Sequence, residues 1–173
     1  MLNVSASMPE GLYEVRPIDR KIERGDAIVI CAPPKMAAHA RARGYLGPGP
    51  CPQDAMPLLK FVAAVGGDVV DVSARAIAVD RRCLPSGVTY DRDGAGRPLP
   101  HVARGRYRLA PNQLWLWAPA PHSFDSRYFG PVDARDVTKF AKPVFLWAKP
   151  EVLSFGSVDC VISSSGSASS SGP

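Results

Sequence analysis

Ser7 and Lys60 are the two residues whose types could together do nucleophilic chemistry. A serine hydroxyl is a poor nucleophile until a base takes its proton. A charged lysine cannot take it. A lysine drawn into apolar surroundings loses the solvation that favours its charge, and its pKa falls toward working pH. Lys60 stands in such a stretch, with Leu58 and Leu59 before it and Val62, Ala63, Ala64 and Val65 after it. The bland alternative is a lysine on the solvent side of an edge strand. Ser7 precedes Met8-Pro9, where a serine is by itself more often a turn or a helix cap.

Three blocks give the pair its meaning. The first is the run Asn3-Val4-Ser5-Ala6-Ser7-Met8-Pro9-Glu10-Gly11-Leu12-Tyr13. The second is Leu58 to Val70 around Lys60. The third is Ser123-Phe124-Asp125-Ser126-Arg127-Tyr128-Phe129-Gly130-Pro131-Val132. In that order, over roughly residues 3–148, they resemble the signal-peptidase family that uses a Ser/Lys dyad. Proline directly after Met8, and Gly11-Leu12-Tyr13, point to its TraF branch, the conjugative-transfer peptidases that process pilin precursors.

The resemblance implies a role for each matched residue. Ser7 matches the nucleophile and Lys60 the general base. Ser5 matches the residue whose hydroxyl, with the Ser7 backbone N–H, binds the oxyanion. Ser123, Asp125 and Arg127 match the block beside the dyad: Ser123 could hydrogen-bond Lys60 and fix its direction, and Asp125 and Arg127 read as a structural ion pair, with a catalytic contribution from Asp125 as the alternative. The family's arginine after the lysine is replaced by Phe61. Ser-Lys pairs are known replacements for the Ser-His-Asp arrangement. No cofactor or metal is implied.

Competing motifs are poor. Ser-x-x-Lys, Gly-x-Ser-x-Gly and His-Glu-x-x-His do not occur. His122 beside Ser123 and Asp125 invites a triad reading, but it reads better as a loop residue near a turn. Trp115, Trp117 and Trp147 fit core packing, with one face at a membrane interface, better than base stacking.

The elements that must position these residues are mostly β. Short runs rich in Val, Ile, Leu, Trp and Tyr, separated by Gly, Pro or Asp, predict strands at Leu12–Val15, Ala27–Cys31, Leu58–Val65, Val69–Val72, Ala76–Val79, Arg106–Leu109, Leu114–Ala118 and Val144–Ala148. Gly66-Gly67-Asp68 is a turn. One helix is expected at Lys35–Arg43, stopped by Gly44, inside an insert at 32–57. A long polar excursion runs through Asp91-Arg92-Asp93-Gly94. The expected fold is a mainly β domain over 1–150, a signal-peptidase-like barrel or coiled antiparallel sheet with one short helical insert. From Ser154 onward the composition collapses to Ser and Gly, and residues 151–173 read as a flexible tail or linker.

Four cysteines stand at 31, 51, 83 and 160. Cys31 and Cys51 bracket the helical insert, and an oxidising compartment would favour a bridge between them. Buried reduced thiols are the main alternative, and a metal site from Cys31, His39 and Cys51 is a remote one, because no Cys-x-x-Cys pair exists.

The 173 residues are enough for one domain with a real core. The net charge of +5 is spread, not packed into one run. On charge alone nucleic acid and an anionic membrane surface are equally consistent. The 18 prolines and 15 glycines favour many turns and few long helices. No run reaches the eighteen or so apolar residues that span a bilayer. Polar Asn3 and Ser5 come too early for a signal peptide. Members of the family carry a membrane segment just before the nucleophile, so a chain trimmed to its soluble part is expected here.

The expectation is therefore the catalytic domain of a serine endopeptidase at the periplasmic face of the inner membrane. Its partners would be that membrane surface and an exported pilin precursor, cut after small residues, with no nucleic acid. Water or the pilin's own amino terminus could resolve the acyl-enzyme. The alternatives are a basic β-barrel that binds nucleic acid and a non-catalytic scaffold for pilus assembly.

Overall fold

The computed structural model describes residues 1–147 except Ala6. The proposed tail at 151–173, and Cys160, lie outside the described residues. The strands are β1 (Leu2–Asn3), β2 (Gly11–Arg16), β3 (Ala27–Ile30), β4 (Pro48–Cys51), β5 (Leu58–Ala64), β6 (Val69–Val72), β7 (Ile77–Val79), β8 (Arg82–Cys83), β9 (Gly105–Arg108), β10 (Gln113–Trp117), β11 (Val132–Asp133) and β12 (Val137–Leu146). The helices are α1 (Pro34–Arg43) and α2 (Ser126–Phe129).

The fold is mainly β and antiparallel. One sheet has the order β1-β2-β12-β3-β5-β10-β11, the other β8-β7-β6-β9. In β5, Lys60 pairs with Ile28 of β3, and Phe61 pairs with Trp117 of β10. The strand that carries Lys60 is thus interior to its sheet, which overturns the reading of Lys60 on a solvent-facing edge. Side chains alternate across a strand, so Lys60 shares a face with Leu58 and Val62. Both belong to the core cluster that also takes Ala37 and Ala40 of α1 and Phe124. Trp115 and Trp117 are core residues of the second cluster. Trp147 is half exposed.

Helix α1 starts with a proline at its first position, where the missing N–H costs nothing. It stops at Gly44, whose φ of 75° is the left-handed cap that glycine tolerates best. Cys31 and Cys51 are disulfide-bonded with Cα atoms 5.6 Å apart. The bridge closes the base of the insert and overturns both the reduced-thiol and the metal reading of these residues. Cys83 is also disulfide-bonded.

Two expectations need correction. The strand placed at Val144–Ala148 overlaps only the last residues of β12, and Ala148 lies outside the described residues. Strand β12 runs from Val137 to Leu146 and pairs with both β2 and β3. Lys139, Lys142 and Pro143 disguise it. Pro143 lacks an N–H to donate and sits beside a register shift before Phe145, the kind of place where strands accept proline. The single expected helix is joined by a second, α2, whose N-cap Asp125 accepts a hydrogen bond from the Arg127 backbone N–H.

Candidate active site

Met8 fixes the loop that carries Ser7. Its side chain is buried in a cluster with Tyr13, Ala27, Val29 and Leu59, and works as a plug that holds the loop against the sheet. Asn3, the last residue of β1, is buried beneath the same loop. Its Nδ2 donates to the carbonyls of Ser5 (3.4 Å), Met8 (3.2 Å) and Pro9 (3.0 Å). Its Oδ1 accepts from the Ser5 backbone N–H (3.2 Å) and the Ser5 hydroxyl (2.8 Å). From the other side the buried Tyr13 hydroxyl donates to the Pro9 carbonyl at 2.8 Å. Gly11 is required because a Cβ there would run into the Phe145 carbonyl and Leu146. The loop is therefore clamped at Ser5, Met8 and Pro9, with Ser7 between the clamps.

Sequence reasoning gave Asn3 and Tyr13 no role. Both stand in the quoted run, but a clamp depends on the chain folding back over its own start.

Ser5 Oγ and Ser7 Oγ are 3.2 Å apart. Ser7 lies in a turn, and Ser5 lies outside any strand. Since the Ser5 proton is directed to Asn3 Oδ1, the Ser5 oxygen is the acceptor for Ser7 in this arrangement. A Ser5 hydroxyl that later binds an oxyanion must first rotate away from Asn3.

Lys60 is 2% exposed. Its Nζ donates to Ser123 Oγ at 2.8 Å. Burial pushes the amine down to about 8; nearby Asp125 opposes this and Arg127 adds to it. Ser5, Ser7, Lys60 and Ser123 all line one cleft of about 660 Å³.

Asp125 and Arg127 are wholly buried and make a two-pronged ion pair, Nε to Oδ1 at 2.8 Å and Nη2 to Oδ2 at 2.7 Å. The remaining polar capacity is used on backbone. Asp125 Oδ2 accepts from the Ala118 N–H, and the guanidinium donates to carbonyls of Ser86, Pro121, Ala120 and Ser123. Such satisfaction is what allows a paired charge to be buried at all. The pair ties the end of β10 to the 118–127 loop and thereby places Ser123 against Lys60. His122 stacks on Tyr90 with ring centroids 4.8 Å apart, which accounts for it without a triad.

Among the described residues no group of three or more His, Cys, Asp or Glu is placed to hold a metal, and no helix is long and apolar enough to cross a membrane.

Residues 2–147 match the family described as signal peptidase, peptidase S26. The chain belongs to this family. The S26 membership agrees with relatives of high coverage. A probable conjugal transfer protein TraF from Sinorhizobium fredii is 39% identical over 150 residues, 85% of this chain and 77% of that protein. A conjugal transfer protein TraF from Agrobacterium tumefaciens is 37% identical over 146 residues, 83% of this chain and 81% of that protein. A plasmid transfer protein TraF from Escherichia coli is 33% identical over 149 residues, 84% of this chain and 82% of that protein. A solved signal peptidase I from Enterococcus faecalis aligns at 14% identity with a TM-score of 0.39, over 68% of this chain and 94% of that one.

Proposed function

We propose that this S26 chain is a Ser/Lys endopeptidase with a role in conjugation, and that its substrate is an exported pilin precursor. The observation that carries the reading is Lys60. A buried amine held near pH 8 opens onto the same cleft as Ser7, and a base is most effective when its pKa lies near the working pH.

The neutral Lys60 amine takes the Ser7 hydroxyl proton, and Ser7 Oγ attacks the scissile carbonyl. The oxyanion is held by the Ser7 backbone N–H and a rotated Ser5 hydroxyl. The Lys60 ammonium returns its proton to the leaving amine, which departs as the C–N bond breaks. Water, losing a proton to Lys60, or a second amine then resolves the acyl-enzyme and restores Ser7. Ser123 aims the amine throughout.

Two features support a place at the periplasmic face of the inner membrane. The Cys31–Cys51 bridge suits an oxidising compartment such as the periplasm. Leu12 pairs with Leu2 on one side and Phe145 on the other. These three side chains are exposed, as are Val4, Val144 and Trp147. Such an apolar patch beside the nucleophile loop suits the inner membrane surface. The relatives' names support the conjugative setting.

The test is cleavage of a synthetic peptide spanning a pilin-precursor processing site, with wild type, Ser7→Ala and Lys60→Ala. Turnover by wild type alone, with all three proteins folded, is the expected result. A folded wild type that binds the peptide without cutting it would favour the assembly scaffold instead.

A further inference from the structure

The cleft that holds Ser7 and Lys60 is much larger than two small residues need. Its volume is about 660 Å³, in the range of cavities that enclose a drug-sized ligand. Beyond the polar groups at the dyad its lining is mixed, with Tyr90, Arg92, Asp93 and His122 standing beside an apolar side. Tyr45, Leu46 and Met56 come from the insert, Leu99 from the end of the polar excursion, and Phe124 and Tyr128 from the segment that begins at Ser123.

These walls are braced against collapse. Asp93 accepts from the Tyr45 hydroxyl at 2.5 Å and from Arg97 Nε at 2.7 Å. It also accepts from the backbone N–H groups of Ala95 and Arg97, both at 2.9 Å. This hub fastens the 91–99 loop to the insert, and the Cys31–Cys51 bridge fastens the insert to its base. Phe124 packs on Tyr45 and Tyr128 with ring centroids 5.9 Å away in each case. Since Phe124 directly follows the residue that holds Lys60, the aromatic wall is continuous with the dyad.

We propose that this part of the cleft is a subsite for a bulky apolar side chain of the substrate (Leu, Ile, Met or Phe) at a position flanking the scissile bond, with Tyr45 and Met56 setting its size. The proposal rests on the endopeptidase reading above. Leu46, Leu99, Phe124 and Tyr128 are already buried, so the apolar surface open to water is that of Tyr45 and the half-exposed Met56, and an alanine would leave it uncovered. A larger side chain removes it from water, and each added methylene is worth roughly tenfold or more in selectivity.

The experiment uses peptides spanning the processing site in which each flanking position is in turn Ala, Leu or Phe. Binding to the Ser7→Ala protein is read by fluorescence anisotropy, and kcat/KM is read with the wild type. At one position Leu or Phe should exceed Ala by about tenfold or more in both readouts. Met56 is half exposed at the cleft, so Met56→Trp adds bulk there with little demand on the core. It should bring that ratio to about one or below. Equal or better binding of Ala at every position, or an unchanged ratio in a folded Met56→Trp, overturns the subsite. Absence of cleavage by the wild type overturns the endopeptidase reading instead, and the binding ratio still decides the subsite.

Discussion

Lys60 Nζ donates a 2.8 Å hydrogen bond to Ser123 Oγ, and both side chains are buried. The hydroxyl is an acceptor for the ammonium form, so it favours the charge that burial opposes. Ser123→Ala should therefore lower the Lys60 pKa below its value of about 8. The acidic limb of the kcat/KM profile should move to lower pH. The plateau should also fall, by up to about 100-fold, because the amine is no longer aimed. A pH–rate profile of the variant checks this; an unmoved limb at full rate would contradict it.

The same burial makes stability depend on pH. The folded pKa of Lys60 is about 8, and an unfolded lysine titrates at ~10.4. Between these values the unfolded state binds more protons, so wild-type stability should rise with pH across that window. Below about pH 8 both states are charged and the burial cost is full, on the order of 3 kcal/mol. Lys60→Met should be the more stable protein there and lack this pH-dependent rise. Urea midpoints measured at several pH values separate the two proteins; parallel curves would remove Lys60 from the account.

Much of this site is legible in the sequence, and the reasons differ by residue. Lys60 is visible because a lysine inside six apolar neighbours breaks a strand's pattern. The 123–127 block is visible as spacing, and the structure places all three of its matched residues together. Asn3 is not visible: its partners at 5, 8 and 9 follow no helix or strand period, and only the turn at Ser7 brings them to it. Most of β12 is hidden because its ladder runs on both sides while its side chains are largely exposed, leaving no apolar alternation to read. The second helix is hidden because four residues are too few to show a period.

Asn3 should matter to rate and fold differently. Asn3→Asp keeps an acceptor for Ser5 but turns an oxygen toward the Met8 and Pro9 carbonyls. Leaving those buried carbonyls unsatisfied should cost about 1–3 kcal/mol. With Ser7 displaced, kcat should drop while KM moves little. A thermal melt alongside steady-state kinetics checks both parts. A destabilised protein with normal kcat would make Asn3 purely structural.

Ser5→Ala should be slow but not dead. Loss of one oxyanion donor typically costs about two to three orders of magnitude in turnover. Unchanged turnover would mean that another group completes the hole.

The Cys31–Cys51 bridge closes a loop with a sequence separation of 20. In the chain-entropy model such a loop contributes roughly 3 kcal/mol. A Cys31→Ala/Cys51→Ala protein should lose about that much in a urea titration, and peptide mapping of the non-reduced wild type should recover the two cysteines linked. Free thiols at both positions in periplasmically produced protein would contradict the bridge.

If Ser7 is the nucleophile and Lys60 its base, neither side chain can be removed with turnover retained. The most direct measurement is cleavage of a pilin-precursor peptide by Ser7→Ala and Lys60→Ala, each with its melting curve. Both should be folded and without detectable turnover under conditions where the wild type cuts. Turnover retained by either folded variant would contradict the account.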